Sequence, residues 1–123
     1  MVAHSGGALP YLAGRLDACI GDHADPNVRL KHAPSAYLRM MYFDAISYST
    51  ETLRLLISLV GSDRLMFGTD HPFFPPTVPS ADLDATEWRS PAAHRPVLAA
   101  LGEETATAIL RGNAIRNFGL TLS

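Results

Sequence analysis

The sequence predicts an α/β fold in which short parallel strands alternate with helices. Two apolar runs, at residues 40–46 and 65–68, lack the alternation of polar and apolar residues that a half-exposed strand shows. Such runs are typical of parallel strands that are covered on both faces. The residues between them have helical periodicity, so strand, helix and strand together predict a right-handed βαβ unit.

The helix of this unit has clear start and stop signals. Ser49 or Thr50 can cap its N-terminus, and Glu51 follows in the first turn. Gly61 supplies the stop. The predicted core face of the helix consists of Leu53, Leu56, Ile57 and Val60.

The N-terminal residues predict the end of another strand and a second helix. Residues 1–4 read as the last residues of a strand, and Pro10 lies near the first position of the helix that follows. Residues 21–34 read as a polar loop. The predicted inner face of this helix consists of Leu12, Leu16, Cys19 and Ile20, which makes Cys19 a small core residue rather than a nucleophile.

The C-terminal half is predicted to be helical after a long surface excursion. The excursion, from Phe74 to about Arg89, is rich in Pro, Asp and Ser. Helices follow at residues 91–101 and 103–111, and a short last helix ends at Gly119. Three strands are few, because a mean sheet has about five or six. We therefore expect part of a larger fold; a complete small α/β protein with a ragged first strand is the alternative.

Composition excludes several classes of protein. The 123 residues are 47% hydrophobic with a net charge of -2, which is the profile of one ordinary domain. The Lys and Arg residues form no basic run, and no apolar stretch approaches the roughly 20 residues of a membrane span. We therefore expect neither a nucleic-acid nor a membrane partner. A lone cysteine cannot form an internal disulfide, which favours a cytoplasmic location.

The second apolar run ends in an acidic residue, Asp70, which is followed by His71 and several prolines. Asp is depleted in strands, and an ionised carboxylate at the end of a buried run needs a partner. The candidates are a helix N-terminus, a basic side chain or a metal ion.

Four segments together resemble a known family. In chain order they are "HSGGALPYLAGR", "YFDAISYS", "LMFGTDHPFFPP" and "GNAIRNFGL". The sequence resembles the C-terminal part of the amidohydrolase-related decarboxylases, the relatives of aminocarboxymuconate semialdehyde decarboxylase. Within them it resembles the fungal branch that contains uracil-5-carboxylate and 6-methylsalicylate decarboxylases. The resemblance implies that residues 1–123 contribute strands six to eight of a TIM-type (β/α)8 barrel, which binds a divalent metal, usually zinc, at its C-terminal mouth.

The resemblance also implies roles for two polar residues. Asp70 matches the metal ligand on the last strand, which also takes part in proton transfer; the alternative is a structural cap. His4 matches the active-site histidine that faces the metal-bound water or the substrate. A neutral imidazole accepts a proton readily near pH 7, although His4 as a simple helix cap is the alternative.

Two further residues are candidates for substrate binding. Arg15 matches a residue that holds the substrate carboxylate, and its alternative is an ion pair with Asp17, Asp22 or another carboxylate of the barrel. Phe73, three residues after Asp70, can stack on a flat aromatic or pyrimidine ring, and its alternative is plain packing.

The remaining polar and aromatic candidates receive weaker interpretations. Asp44 is expected to pair with a basic group inside the barrel, and Trp88 to be a lid or subunit-contact residue. His71 points away from Asp70 along an extended chain and is at best a supporting residue. The other histidines, His23, His32 and His94, are expected on the surface.

Several family ligands have no counterpart in this sequence. The family's first strand carries an H-x-H or E-x-H pair and its fifth strand another His, and none of these is present. A catalytic zinc site normally has three protein ligands, so we expect the isolated chain to be inactive.

The expected function is therefore that of the C-terminal part of a metal-dependent carboxy-lyase. Its substrate is expected to be a small aromatic or heteroaromatic carboxylic acid, and the full-length form is expected to be a homo-oligomer. The alternatives are a metal-dependent hydrolase of the same superfamily, or a truncated, non-catalytic protein that binds a full-length homologue.

Overall fold

The computed structural model describes residues 1–23, 30–70 and 89–121. Helices and two short strands alternate in the first part of the chain, and helices alone follow the second strand in the described residues. The elements are α1 (Leu9–His23), α2 (Pro34–Leu38), β1 (Phe43–Asp44), α3 (Thr50–Val60), β2 (Leu65–Met66), α4 (Arg89–Ala99), α5 (Glu103–Thr107) and α6 (Asn113–Phe118).

The two strands pair in parallel, as the βαβ pattern predicts. Phe43 lies opposite Leu65 and Asp44 opposite Met66, and α3 connects the strands. Val2 forms a single parallel bridge with Phe43, so the predicted N-terminal strand end lies beside β1. Both strands are shorter than their apolar runs. Strand β2 ends at Met66 because the next N–H group, that of Phe67, donates to the carbonyl of Ile109 at 2.9 Å. Ile109 lies in a π-helical turn that joins α5 to α6.

Helix α3 confirms its predicted start, stop and core face. The Ser49 hydroxyl accepts a hydrogen bond from the N–H of Thr52, and Glu51 lies in the first turn. Leu53, Leu56 and Val60 are buried, and Ile57 packs partly against the core. The core lies between this helix, the two strands and the C-terminal helices, and its largest fully buried apolar residues are Phe43, Leu53, Leu56, Leu65, Leu98 and Ile109.

The predicted core position of Cys19 is wrong, because this side chain is exposed. The buried face of α1 is centred on Ala13, and Leu16 and Ile20 are partly buried beside it. At 3.6 residues per turn, Cys19 lies about 120° around the helix from Ala13. Pro10 is the second residue of the helix, as expected for a residue that cannot donate a backbone hydrogen bond.

Both ends of the predicted polar loop at 21–34 are helical in the described residues. Helix α1 continues to His23, and α2 begins at Pro34, a favoured first residue of a helix. The two helical pieces predicted after residue 90, and the short helix before Gly119, are present as α4, α5 and α6. The predicted excursion before Arg89 lies outside the described residues. In the described ranges, no helix is both long enough and apolar enough to cross a bilayer.

Candidate active site

Three chain segments meet at the carboxyl ends of the parallel strands. His4 follows the Val2 bridge, the segment 46–48 follows β1, and Asp70 follows β2. With Thr52 of α3, these residues line a cavity of about 310 Å³. The carboxyl ends of parallel strands are where α/β barrels place their catalytic residues.

His4 and Asp70 are brought together although 66 positions separate them in the sequence. The Nε2 atom of His4 lies 3.5 Å from Oδ1 of Asp70. The His4 side chain is 65% exposed, whereas that of Asp70 is 12% exposed. This distance exceeds that of a good hydrogen bond, so the two groups flank a shared space rather than form a tight pair.

The backbone around the cavity is unusual. In the described ranges, four residues other than glycine have positive φ: His4 at 54°, Ser5 at 52°, Tyr48 at 57° and Asp70 at 57°. Three of the four line the cavity, and Ser5 is the neighbour of His4. Left-handed backbone is unfavourable for L-residues, and such residues cluster at functional sites.

Asp44 is the buried acid beneath this site, and in the described residues its hydrogen-bond partners are backbone N–H groups rather than the predicted basic group. Its carboxylate accepts hydrogen bonds from the backbone N–H groups of His4 at 2.8 Å, Ser5 at 2.9 Å and Ile46 at 3.1 Å. Backbone N–H groups can satisfy a buried carboxylate as a cation would, and the chain folds so that three of them surround it.

Sequence reasoning missed His94, which was expected on the surface and is 1% exposed. Its ring stacks on Tyr48 with centroids 4.6 Å apart and meets the ring of Phe67 edge-on at 6.1 Å. Burial lowers the pKa of His94 below its ordinary value, while the negative charges of Asp44 and Asp70 oppose that shift. Helical spacing is the signal in the sequence that indicates this burial, because position 94 lies one helical turn before the buried Leu98 and so shares its face of the helix.

Close packing explains why a glycine, Gly68, occupies the first position of the "GTD" segment. A Cβ on Gly68 would lie 2.9 Å from Cδ1 of Ile46 and 3.5 Å from Cβ of Asp44. The chain after β2 therefore approaches the end of β1 closely. This approach places Asp70 at the same cavity as the segment that follows β1.

Of the two predicted substrate-binding residues, Arg15 lies in the described structure and does not join this group. Arg15 is exposed on α1 and is not among the described residues that line the cavity. Asp17, one of its alternative partners, accepts a hydrogen bond from the Ser35 N–H at 2.8 Å, and that bond lowers the Asp17 pKa. Phe73, His71 and Trp88 lie outside the described residues, and so does the side chain of His23. His32 is exposed, as predicted.

The donors at the cavity fit part of a metal site. Carboxylate oxygen and imidazole nitrogen both bind zinc and manganese. However, no group of three or more His, Cys, Asp or Glu side chains that could hold a metal ion occurs in the described part of the chain. Asp70 and His4 alone do not complete a catalytic metal centre, so further ligands would have to come from outside the described residues.

Polar side chains that meet in one cavity at the carboxyl ends of parallel strands are typical of the catalytic face of α/β barrels. The chain belongs to the amidohydrolase family, whose sequence model matches residues 1–120. The predicted membership is thereby confirmed.

The relatives are decarboxylases. The chain is 29% identical over 122 residues to 2-amino-3-carboxymuconate-6-semialdehyde decarboxylase of Dictyostelium discoideum, covering 96% of this chain and 30% of that protein. A second relative is IDCase from Metarhizium anisopliae, whose crystal structure in apo form matches this chain with a TM-score of 0.73. The sequence identity is 41%, and the match covers 93% of this chain and 32% of that one.

A third similar structure carries a metal ion. It is a dihydroxybenzoic acid decarboxylase from Polaromonas sp. JS666 with bound manganese and the inhibitor 2-nitroresorcinol; the identity is 26%, the TM-score 0.71, and the match covers 98% of this chain and 33% of that one. The chain thus spans about a third of the length of these relatives.

Proposed function

We propose that the chain carries strands six to eight of a metal-dependent carboxy-lyase barrel. The assembled enzyme would remove the carboxylate from a small aromatic or heteroaromatic acid. The observation that carries this proposal is the approach of His4 and Asp70 to 3.5 Å beside a cavity at the carboxyl ends of parallel strands. The decarboxylases among the relatives support the reaction class.

The reaction breaks the bond between the ring carbon and the carboxylate carbon. The bonding electrons stay on the ring carbon, which takes up a proton, and CO2 leaves. His4 is suited to hold or move that proton, because a neutral imidazole exchanges protons near pH 7. Asp70 would take part in the same proton transfer.

Asp70 would also bind the divalent metal, for which zinc is proposed, together with ligands from outside the described residues. A bound metal ion would supply positive charge to the oxygens of the acid. Arg15 would bind the substrate carboxylate through its guanidinium fork, and Phe73 would pack against the ring.

The test is a graft of residues 1–123 in place of the matching third of the Metarhizium IDCase. CO2 release would be measured with zinc or manganese and a panel of acids: uracil-5-carboxylate, 6-methylsalicylate and 2,6-dihydroxybenzoate. We expect one acid to be turned over, a loss of at least about a hundredfold in Asp70→Asn, and a similar loss in His4→Gln. Asp17→Asn, on α1 and bound to Ser35, is the matched control and should keep the activity.

Two outcomes would contradict the proposal. If Asp70→Asn leaves CO2 release unchanged, Asp70 is neither the metal ligand nor part of proton transfer. If a folded graft hydrolyses amides or lactones and releases no CO2, the chain belongs to a hydrolase. The isolated chain is expected to be inactive with either metal.

A further inference from the structure

Both oxygens of the Asp44 carboxylate accept hydrogen bonds from backbone N–H groups in the described residues. The residue is 6% exposed and lies at the carboxyl end of β1. Its Oδ2 accepts the N–H of His4 at 2.8 Å, and its Oδ1 accepts the N–H groups of Ser5 at 2.9 Å and Ile46 at 3.1 Å. Charge-assisted bonds of this kind are stronger than neutral ones.

Two of these donors belong to consecutive residues with left-handed backbone, His4 with φ 54° and Ser5 with φ 52°. In this conformation neighbouring N–H groups can converge on one anion. The same conformation is unfavourable for His and Ser on their own, so it persists only when contacts around it hold it in place. The carboxylate of Asp44 is such a contact.

Two further contacts seat the turn directly on β1. The Ser5 hydroxyl donates to the backbone carbonyl of Asp44 at 3.2 Å. Gly6 lies against the ring of Phe43, since a Cβ at Gly6 would be 3.0 Å from Cε1 of that ring. The turn and the end of β1 therefore form one packed unit.

The imidazole of His4 depends on this unit for its position. Its side chain is 65% exposed, so packing around the ring does not fix it. The direction of the Cα–Cβ bond limits where the ring can lie, and that direction is set by the backbone whose N–H groups at His4 and Ser5 bond Asp44. A rotation of this backbone would change the 3.5 Å separation from Asp70.

We propose that Asp44 is a positioning residue that holds the left-handed turn of His4 and Ser5 and thereby sets the place of the His4 imidazole beside Asp70. The catalytic consequence rests on the proposed function, in which His4 moves the proton. The structural consequence does not, because it concerns the backbone alone.

The test uses the full chain, labelled with 15N and 13C, in three forms: unsubstituted, Asp44→Asn and the control Asp17→Asn. Asp17 also accepts a backbone N–H, that of Ser35 at 2.8 Å, but far from the turn in sequence. Two NMR readouts report on the turn: the amide exchange rates of His4 and Ser5, and their intraresidue HN–Hα NOE, which is strong when φ is positive.

We expect Asp44→Asn to raise both amide exchange rates at least about tenfold, because one carboxylate acceptor becomes an amide donor, and to weaken both NOEs. Asp17→Asn should change Ser35 and leave His4 and Ser5 as they were. Unchanged NOEs and exchange rates in a folded Asp44→Asn chain would overturn the proposal. If that variant does not fold, the unsubstituted chain decides: scalar couplings across the hydrogen bonds from the His4 and Ser5 amides to the Asp44 carboxylate support the proposal, and their absence overturns it.

The grafted enzyme separates this proposal from the proposed function. If the graft is active, Asp44→Asn should lower kcat about tenfold or more and change KM less than about threefold. An unchanged kcat would overturn the catalytic consequence. A graft that is inactive without any substitution, beside a chain whose turn loosens in Asp44→Asn, would refute the proposed function and support the positioning role.

Discussion

Asp44 and Asn113 are buried polar side chains that bind backbone atoms at opposite ends of the strands. At the amino end of β2, the Asn113 amide donates to the carbonyls of Ser62 at 2.8 Å and Leu65 at 2.7 Å, and its oxygen accepts a bond from Arg116. At the carboxyl end of β1, the Asp44 carboxylate accepts from the turn that carries His4. Both residues lie in segments that carry the family resemblance.

The two ends of the strands differ in the kind of backbone that the buried polar side chain binds. Asn113 has ordinary helical backbone with φ -67° and joins α6 to the start of β2, with every polar atom of its side chain bonded. Asp44 holds backbone in a strained conformation next to an exposed imidazole. In barrels the amino ends of the strands favour stability and the carboxyl ends catalysis, and this division predicts different effects of substitution.

The largest effect on stability is expected for Asn113→Ala. The substitution removes this donor from the carbonyls of Ser62 and Leu65. The Ser62 carbonyl keeps the N–H of Leu65, whereas the buried Leu65 carbonyl loses the Asn113 bond, and an unsatisfied buried group costs roughly 1–3 kcal/mol. We expect the free energy of unfolding to fall by about 2–4 kcal/mol in urea titrations. Asn117→Ala on the same helix removes one hydrogen bond, from the Tyr42 hydroxyl, and should cost about 1 kcal/mol. Equal losses of unfolding free energy in Asn113→Ala and Asn117→Ala would contradict the conclusion that Asn113 makes the main stabilising contact between α6 and the start of β2.

The turn at the other end is tested by two neighbouring glycines. Both have positive φ, 82° at Gly6 and 56° at Gly7, so alanine is strained at either position. A Cβ at Gly6 would also press on the Phe43 ring, whereas a Cβ at Gly7 meets nothing within 4 Å. We expect losses in unfolding free energy of about 2–3 kcal/mol for Gly6→Ala and about 1–2 kcal/mol for Gly7→Ala. If Gly7→Ala proved the more destabilising, the turn would not be seated on β1 as described.

The sequence was sufficient where local rules decide the structure. Helix α3 follows from a cap at Ser49, apolar residues at helical spacing and a stop at Gly61. The parallel pairing follows from the continuous apolar runs and the helix between them. The Asp70 carboxylate at the end of such a run predicts a site; the structure places it 3.5 Å from His4, and its role stays a prediction.

The sequence was insufficient where contacts between distant segments decide the structure. Nothing local to Asp44 shows that its acceptors will meet N–H groups 39 and 40 positions away. His94 lies in a helix with a weak apolar pattern, and its burial depends on the rings of Tyr48 and Phe67. Cys19 was misplaced because α1 has apolar residues at several registers, and only packing against its neighbours selects the face centred on Ala13.

A smaller effect is expected at the start of α3, beside the cavity. Ser49→Ala removes the cap on the Thr52 N–H and the bond to Glu51, and should lower the free energy of unfolding by about 1 kcal/mol. Ser58→Ala is the control within the same helix, because the Ser58 hydroxyl is exposed and bonds the helix's own carbonyl at Leu55. Ser58→Ala should change the free energy of unfolding by no more than about 0.5 kcal/mol. A control as damaging as Ser49→Ala would show that the loss comes from the serine hydroxyl in general rather than from the cap.

The smallest effect concerns pH and tests His94 beneath the cavity. Burial lowers the pKa of His94 in the folded chain, whereas in the unfolded chain its pKa is the ordinary value of about 6.5. Below that pH the unfolded state binds a proton that the folded state resists, so the free energy of unfolding should fall as the pH drops from 7 toward 5. The contributions of Asp17 and Glu51, whose pKa values hydrogen bonds lower, disappear at more acidic pH, below about 4.

His94→Phe removes this proton-binding group and keeps an aromatic ring against Tyr48. Urea titrations at pH 7, 6 and 5 should therefore show a shallower loss of stability in His94→Phe than in the unsubstituted chain. His32→Gln, which removes an exposed histidine, is the control for the loss of an imidazole as such. Equal pH dependence in His94→Phe and the unsubstituted chain would mean that His94 takes up a proton in the folded state. The ring would then have to reach water or one of the nearby carboxylates, and the buried stack on Tyr48 would not describe the protein in solution.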